Sequence, residues 1–109
     1  MKRVGMVIGA DTEKLELYKR LHADENEGVR PLLKKYHYQN FSIFVTKMDD
    51  GKEYLFGYYE YTGNDFEADQ QKLNALPEYA EWLKVTGSCQ RPLAGETSWR
   101  NMERIFYLE

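Results

Sequence analysis

His22 and Tyr18 stand one helical turn apart in the stretch YKRLHADE (18–25), and together they could handle a proton at neutral pH. An imidazole with its ordinary pKa of about 6.5 gives and takes protons near pH 7. A phenol one turn away can hydrogen-bond that ring or a ligand. On a helix running through about Ala23, Leu15, Leu17 and Leu21 form an apolar arc with Tyr18 and His22 at its edge, while Glu16, Lys19 and Arg20 point elsewhere. By the same periodicity Tyr79, Trp82, Leu83 and Thr86 share one face of a later helix. Spacing alone leaves two readings of Tyr18 and His22: a satisfied pair at a core edge, which such a pattern favours, or the wall of a site.

Other chemistries find less support. Near His22 only Asp24, Glu25 and Glu27 could join a metal site, and no second histidine or cysteine stands at ligand spacing. His37, between Tyr36 and Tyr38, reads as structural at a helix-to-strand joint. No glycine-rich phosphate loop precedes a helix. Cys89 lies in a loop near Arg91 without an adjoining histidine, a poor setting for a nucleophile.

The 109 residues suit one domain, 1–109, large enough to bury a core without disulfides or metal. A net charge of −3 without a basic block argues against nucleic acid as a partner. The lone cysteine implies a reducing compartment. MKRVGMVIGA briefly imitates a signal peptide, but Asp11, Glu13 and Lys14 follow at once; a first strand of a cytoplasmic protein is expected. No apolar run is long enough to span a membrane, so no membrane partner is expected. The aromatic content, 15% with nine tyrosines, suits either a Tyr-rich core or interface, or a wet pocket for rings and sugars.

Residues 3–9 alternate as a strand, and Asp11 offers a cap for a helix to about Ala23. VRPLLKKY (29–36) reads as a short helix with Pro31 in its first turn. QNFSIFVTK (39–47), the turn MDDGK and EYLFGYYEY (53–61) make a hairpin. Asn64 with Glu67 forms a capping box for a helix to about Leu76, and Pro77 starts another that Gly87 stops. Residues 87–97 read as a loop and 98–109 as a C-terminal strand. The order is βαββαβ, an α+β ferredoxin-like arrangement with a four-stranded antiparallel sheet. Tyr54, Phe56 and Tyr58 face one side of the hairpin strand, and Leu55, Tyr59 and Tyr61 the other. Both faces want cover, and a second copy giving a dimeric α/β barrel would supply it.

Six segments carry a resemblance over about the full length: MKRVGMVIG, YKRLHAD, NFSIF, YLFGYYEY, EWLKVTGSCQ and MERIFYL. In order and without large gaps, they resemble the L-rhamnose mutarotase family, small cytoplasmic homodimers with a ferredoxin-like dimeric barrel. The resemblance implies interconversion of the α and β anomers of a monosaccharide, L-rhamnose, without cofactor or metal. It implies that His22 is the proton donor, that Tyr18 contacts the sugar and that Trp82 packs on it. It leaves the catalytic base unassigned; Asp24 and Glu60 are conceivable polar partners. Three positions depart from the family pattern: Phe41 replaces a tyrosine, Leu83 a second tryptophan, and Glu25–Gly28 a Trp-Pro. They leave open another 6-deoxy sugar such as L-fucose, or a non-catalytic sugar-binding or regulatory dimer. Fold analogy alone adds other dimeric barrels, such as a cofactor-free monooxygenase or a lactone isomerase.

Overall fold

The computed structural model describes residues 1–109. Its centre is β1 (Lys2–Ala10), whose alternation buries Val4, Met6 and Ile8 on one face. Asp11 accepts a hydrogen bond from the Glu13 amide at 3.0 Å and caps a 3-10 turn over Thr12–Lys14, which leads into α1 (Leu15–Leu21). The helix expected through about Ala23 is therefore a 3-10 turn plus two turns of α-helix, and His22 is its C-cap. A loop then reaches α2 (Arg30–Lys35), with Pro31 in its first turn.

β2 (Tyr38–Lys47) and β3 (Glu53–Tyr61) form the expected hairpin. At its tip the Asp50 carboxylate accepts the Lys52 amide at 2.9 Å. β2 carries a bulge between Gln39 and Ser42, with Asn40 at φ 49°. Two residues there oppose one on β3, so the pleat changes phase and Phe41, Ile43 and Val45 share the face of Tyr38.

α3 (Phe66–Asn74) and α4 (Pro77–Gly87) follow. The cap of α3 is Asp65, not the expected Asn64: the Asp65 carboxylate accepts the Ala68 amide at 3.1 Å. The helix begins at Phe66, so only the residue directly before it stands where its side chain reaches that amide.

The chain end departs most from expectation. Within the expected loop, β4 (Gln90–Arg91) pairs with Ala10 and Gly9 of β1. The expected strand 98–109 shortens to β5 (Arg100–Met102), which pairs with Val7, Met6 and Gly5. Both segments add to the same edge of β1, separated by a turn at Gly95 in which the Glu96 amide bonds the Leu93 carbonyl. Beyond Met102 the chain leaves the sheet, and Tyr107 folds back so that Arg3 stacks on its ring and donates to its hydroxyl at 2.8 Å.

The sheet order β2-β3-β1-β4, all antiparallel, is the split βαβ arrangement, and β5 adds a fifth short strand. The helices cover one face. Val4, Met6, Tyr38, Tyr59 and Tyr61 pack with Leu73 of α3, and Ile8, Ala10 and Leu55 with Leu15, Tyr18 and Cys89. The other face carries Tyr54, Phe56 and Tyr58 beside Phe44, which is 67% exposed.

Replacing Asp65 with alanine is expected to cost about 1 kcal/mol of stability. Asn64→Ala should stay within about 0.5 kcal/mol. Urea unfolding of the two variants distinguishes the caps.

Candidate active site

Between the covered sheet face and the helices lies a cavity of about 760 Å³. The floor comes from β1, β2 and β3, and the far wall from residues 97–101. Tyr18, His22 and Trp82 all line it, as do Phe41 and Leu83. Asp24 does not line it. Nor does Glu60, whose carboxylate is held elsewhere, accepting the Gln39 and Asn40 amides and the Tyr58 hydroxyl at 2.8 Å each. Those bonds hold Glu60 below the usual carboxylate range. The carboxylate that does border the cavity is Glu27.

His22 is fixed by three neighbours. Its ring stacks on Tyr18 with centroids 4.2 Å apart, and Trp82 meets it edge-on at 5.2 Å. The imidazole Nδ1–H donates to the Tyr18 carbonyl at 2.7 Å, in the last turn of α1, and the same carbonyl accepts the His22 backbone amide at 3.3 Å. The ring's bond sets the neutral tautomer and leaves Nε2 as the nitrogen free to exchange a proton. Burial lowers the His22 pKa below 6.5; the bond to the Tyr18 carbonyl opposes this, and the Arg30 charge adds to it. The balance favours the neutral ring.

Tyr18 is 5% exposed, and its pKa is pushed up to about 12 by that burial, against the lowering effect of Gln90. Gln90 Nε2 donates to the phenol oxygen at 3.2 Å. The phenol proton thus stays in place and remains available to a ligand oxygen.

Arg30 organises the loop behind His22. Its guanidinium donates to the carbonyls of His22 at 2.9 Å, of Ala23 and Glu27 at 3.4 Å, and of Asn26. Gly28, at φ 57°, then passes under Trp82, where a Cβ would stand 3.0 Å from the indole Cη2. A side chain there would crowd the indole that meets His22 edge-on.

The remaining sequence candidates lie apart. His37 stands at the α2–β2 joint with φ 74° and its Nε2 is 4.0 Å from Asp69. Cys89 is fully buried in the core, its thiol directed to the Val85 carbonyl at 3.6 Å. No three His, Cys, Asp or Glu side chains converge on one point.

Sequence reasoning missed Trp99, Gln90 and Asn101, which also line the cavity. Gln90 and Asn101 carry no local signal. Trp99 did: it is the second of only two tryptophans, in a segment read merely as strand. Phe41 stacks against Tyr59 at 5.0 Å and, with Leu83, makes part of the cavity wall apolar.

Curated proteins give no sequence match. Among solved structures, the chain is similar to an L-rhamnose mutarotase from Formosa agariphila, at 18% identity and a TM-score of 0.72, with 100% of both chains covered. It is also similar to tetracenomycin F2 cyclase from Streptomyces glaucescens, a type-II polyketide cyclase, at 15% identity and a TM-score of 0.69, covering 100% of this chain and 98% of that one. An antibiotic biosynthesis monooxygenase matches at 15% identity and a TM-score of 0.56, covering 96% of this chain and 99% of the other. At such identities these structures speak for the fold, a mixed α+β chain with an antiparallel sheet. The sequence model for L-rhamnose mutarotase matches residues 3–108, and the chain belongs to that family of isomerases.

Proposed function

We propose that the protein is an aldose 1-epimerase that interconverts the α and β anomers of L-rhamnose or a related 6-deoxy sugar. His22 moves the proton, and Tyr18 and Trp82 hold the sugar. The observation that carries this reading is the bond from His22 Nδ1–H to the Tyr18 carbonyl, which leaves Nε2 to the cavity that His22 lines. Membership of the mutarotase family supports the reaction class.

The chemistry follows from these groups. Neutral Nε2 takes the proton of the anomeric hydroxyl, and the resulting imidazolium is the acid that donates a proton to the ring oxygen. The bond between C1 and the ring oxygen breaks, a C1 aldehyde forms, and the net proton count is unchanged. Rotation about C1–C2 and reclosure by the reverse steps give the other anomer. One imidazole takes both roles in this reading; Asp24 and Glu60 do not line the cavity, and Glu27 is the carboxylate at its border. Tyr18, keeping its proton, donates a hydrogen bond to a sugar oxygen, and the Trp82 face packs on C–H groups. None of these steps calls on a cofactor.

A second copy completes the assembly in this reading. The row Phe44, Tyr54, Phe56 and Tyr58 lies on the sheet face the helices leave open, and Ile105, Phe106 and Leu108 are 88%, 76% and 79% exposed. Joining two such faces would bury them and close a dimeric barrel. Light scattering at micromolar concentration should return twice the monomer mass; a clean monomer would overturn the dimer.

Native protein should accelerate exchange between the anomeric NMR signals of L-rhamnose, and His22→Ala should lose roughly 10²–10⁴-fold. If neither L-rhamnose nor L-fucose exchanges faster with native protein, the enzyme reading is lost. Sugar-induced shifts without exchange would favour a non-catalytic sugar-binding protein.

The pH dependence has a defined sign. Because the folded His22 pKa lies below 6.5, acid lowers kcat/KM as the ring charges, with a midpoint under that value. The unfolded chain takes this proton first, so the contribution of His22 to stability is present above pH 6.5 and is lost as pH falls. Imidazole NMR titration should show the same low midpoint, and Arg30→Gln should raise it.

A further inference from the structure

Trp99 is a large aromatic side chain on the wall of the cavity, and the fold makes room for it. It comes from the segment just before β5, is half-buried, and packs against both core clusters. Its ring lies over β3 at Gly57, where a Cβ would stand 3.4 Å from the indole Cζ3 and 2.9 Å from the Met6 methyl. Glycine inside a central strand weakens it and marks close approach of another group. Here the missing side chain admits the Trp99 ring and the Met6 side chain to the sheet floor.

Trp82 reaches the same cavity from α4, on the helical side, with its edge relation to His22. The two tryptophans of the chain therefore border one cavity, one from α4 and one from the segment before β5. The other lining residues differ in character. Tyr18, Gln90 and Asn101 offer hydroxyl and amide groups, whereas Phe41 and Leu83 offer none. A pyranose ring has the matching anatomy: hydroxyls around its rim and C–H groups on its faces.

We infer that Trp99 is a second sugar-binding platform, an indole supplied by the C-terminal segment to the cavity that Trp82 also lines. This rests on the reading of the cavity as a 6-deoxy-sugar site. The apolar Leu83 then costs the site little aromatic surface, because an indole arrives from elsewhere in the chain. A cavity that offers two indoles also favours a sugar with few polar substituents on its faces, and a methyl in place of a hydroxymethyl group fits that preference.

The presence of only two tryptophans makes the inference directly readable. In Trp82→Phe the emission is that of Trp99 alone, and L-rhamnose should shift or quench it in a saturable way. Trp99→Leu should raise the KM for anomer exchange roughly two- to tenfold, more than it lowers kcat. Trp99→Phe, which keeps an apolar ring over Gly57, should lie between Trp99→Leu and native protein, and it serves if the leucine variant does not fold. If native protein accelerates exchange while the KM of Trp99→Phe and the Trp99 emission are unmoved, the platform is overturned and the sugar reading stands. If native protein accelerates exchange of neither L-rhamnose nor L-fucose and neither indole responds to them, the sugar reading falls and takes the platform with it.

Discussion

The pairing of β1 with β3 is the constraint from which the rest of the molecule follows. Their register runs without interruption from Lys2 opposite Tyr61 to Gly9 opposite Tyr54. Because side chains alternate with a period of two, that register sends Val4, Met6 and Ile8 to the same side as Leu55, Tyr59 and Tyr61. The helices can bury only one such side, so the register decides which aromatic residues become cavity floor and which remain outside. A slip of one residue would exchange the two sets on one strand and turn Val4, Met6 and Ile8 away from the face that carries Leu55, Tyr59 and Tyr61. β1 also receives β4 and β5 on its other edge, so the chain end that brings Trp99 and Gln90 to the cavity depends on the same strand.

On that sheet the site is made from places where regular structure stops. His22 is the C-cap of α1, and its ring bonds the Tyr18 carbonyl of the last turn, which fixes its tautomer. The bulge in β2 shifts the pleat so that Phe41 turns toward the cavity. Gly57 is a gap in β3. Each is a local exception to periodicity, and each sets the position of a group on the cavity wall.

This pattern explains what could be read from the sequence. The hairpin was legible because both strands alternate and Asp50-Gly51 marks the turn; β3 begins and ends where expected, at Glu53 and Tyr61. Tyr18, His22 and Trp82 were legible as helix-face residues, and all three border one cavity. The roles expected of them rested on the family resemblance, because spacing alone fitted a core edge as well. The edge strands were not legible. Gln90–Arg91 and Arg100–Met102 are held by pairing to β1 rather than by a pattern of their own, so their boundaries are a tertiary fact. For the same reason Trp99 could not be placed, and Asp65 rather than Asn64 became a cap through a one-residue difference in helix start.

The arrangement around Arg30 bears on the entropy of binding. The segment between α1 and α2 has no ladder of its own, yet one guanidinium gathers the carbonyls of His22, Ala23, Asn26 and Glu27. A loop without such a clamp would sample many shapes, and a ligand would have to freeze it on arrival, weakening its own affinity. Here the chain has already lost that freedom during folding. The imidazole and the indole beside it are thus preorganised, and the binding energy of a small sugar can go to holding the sugar rather than to ordering the protein.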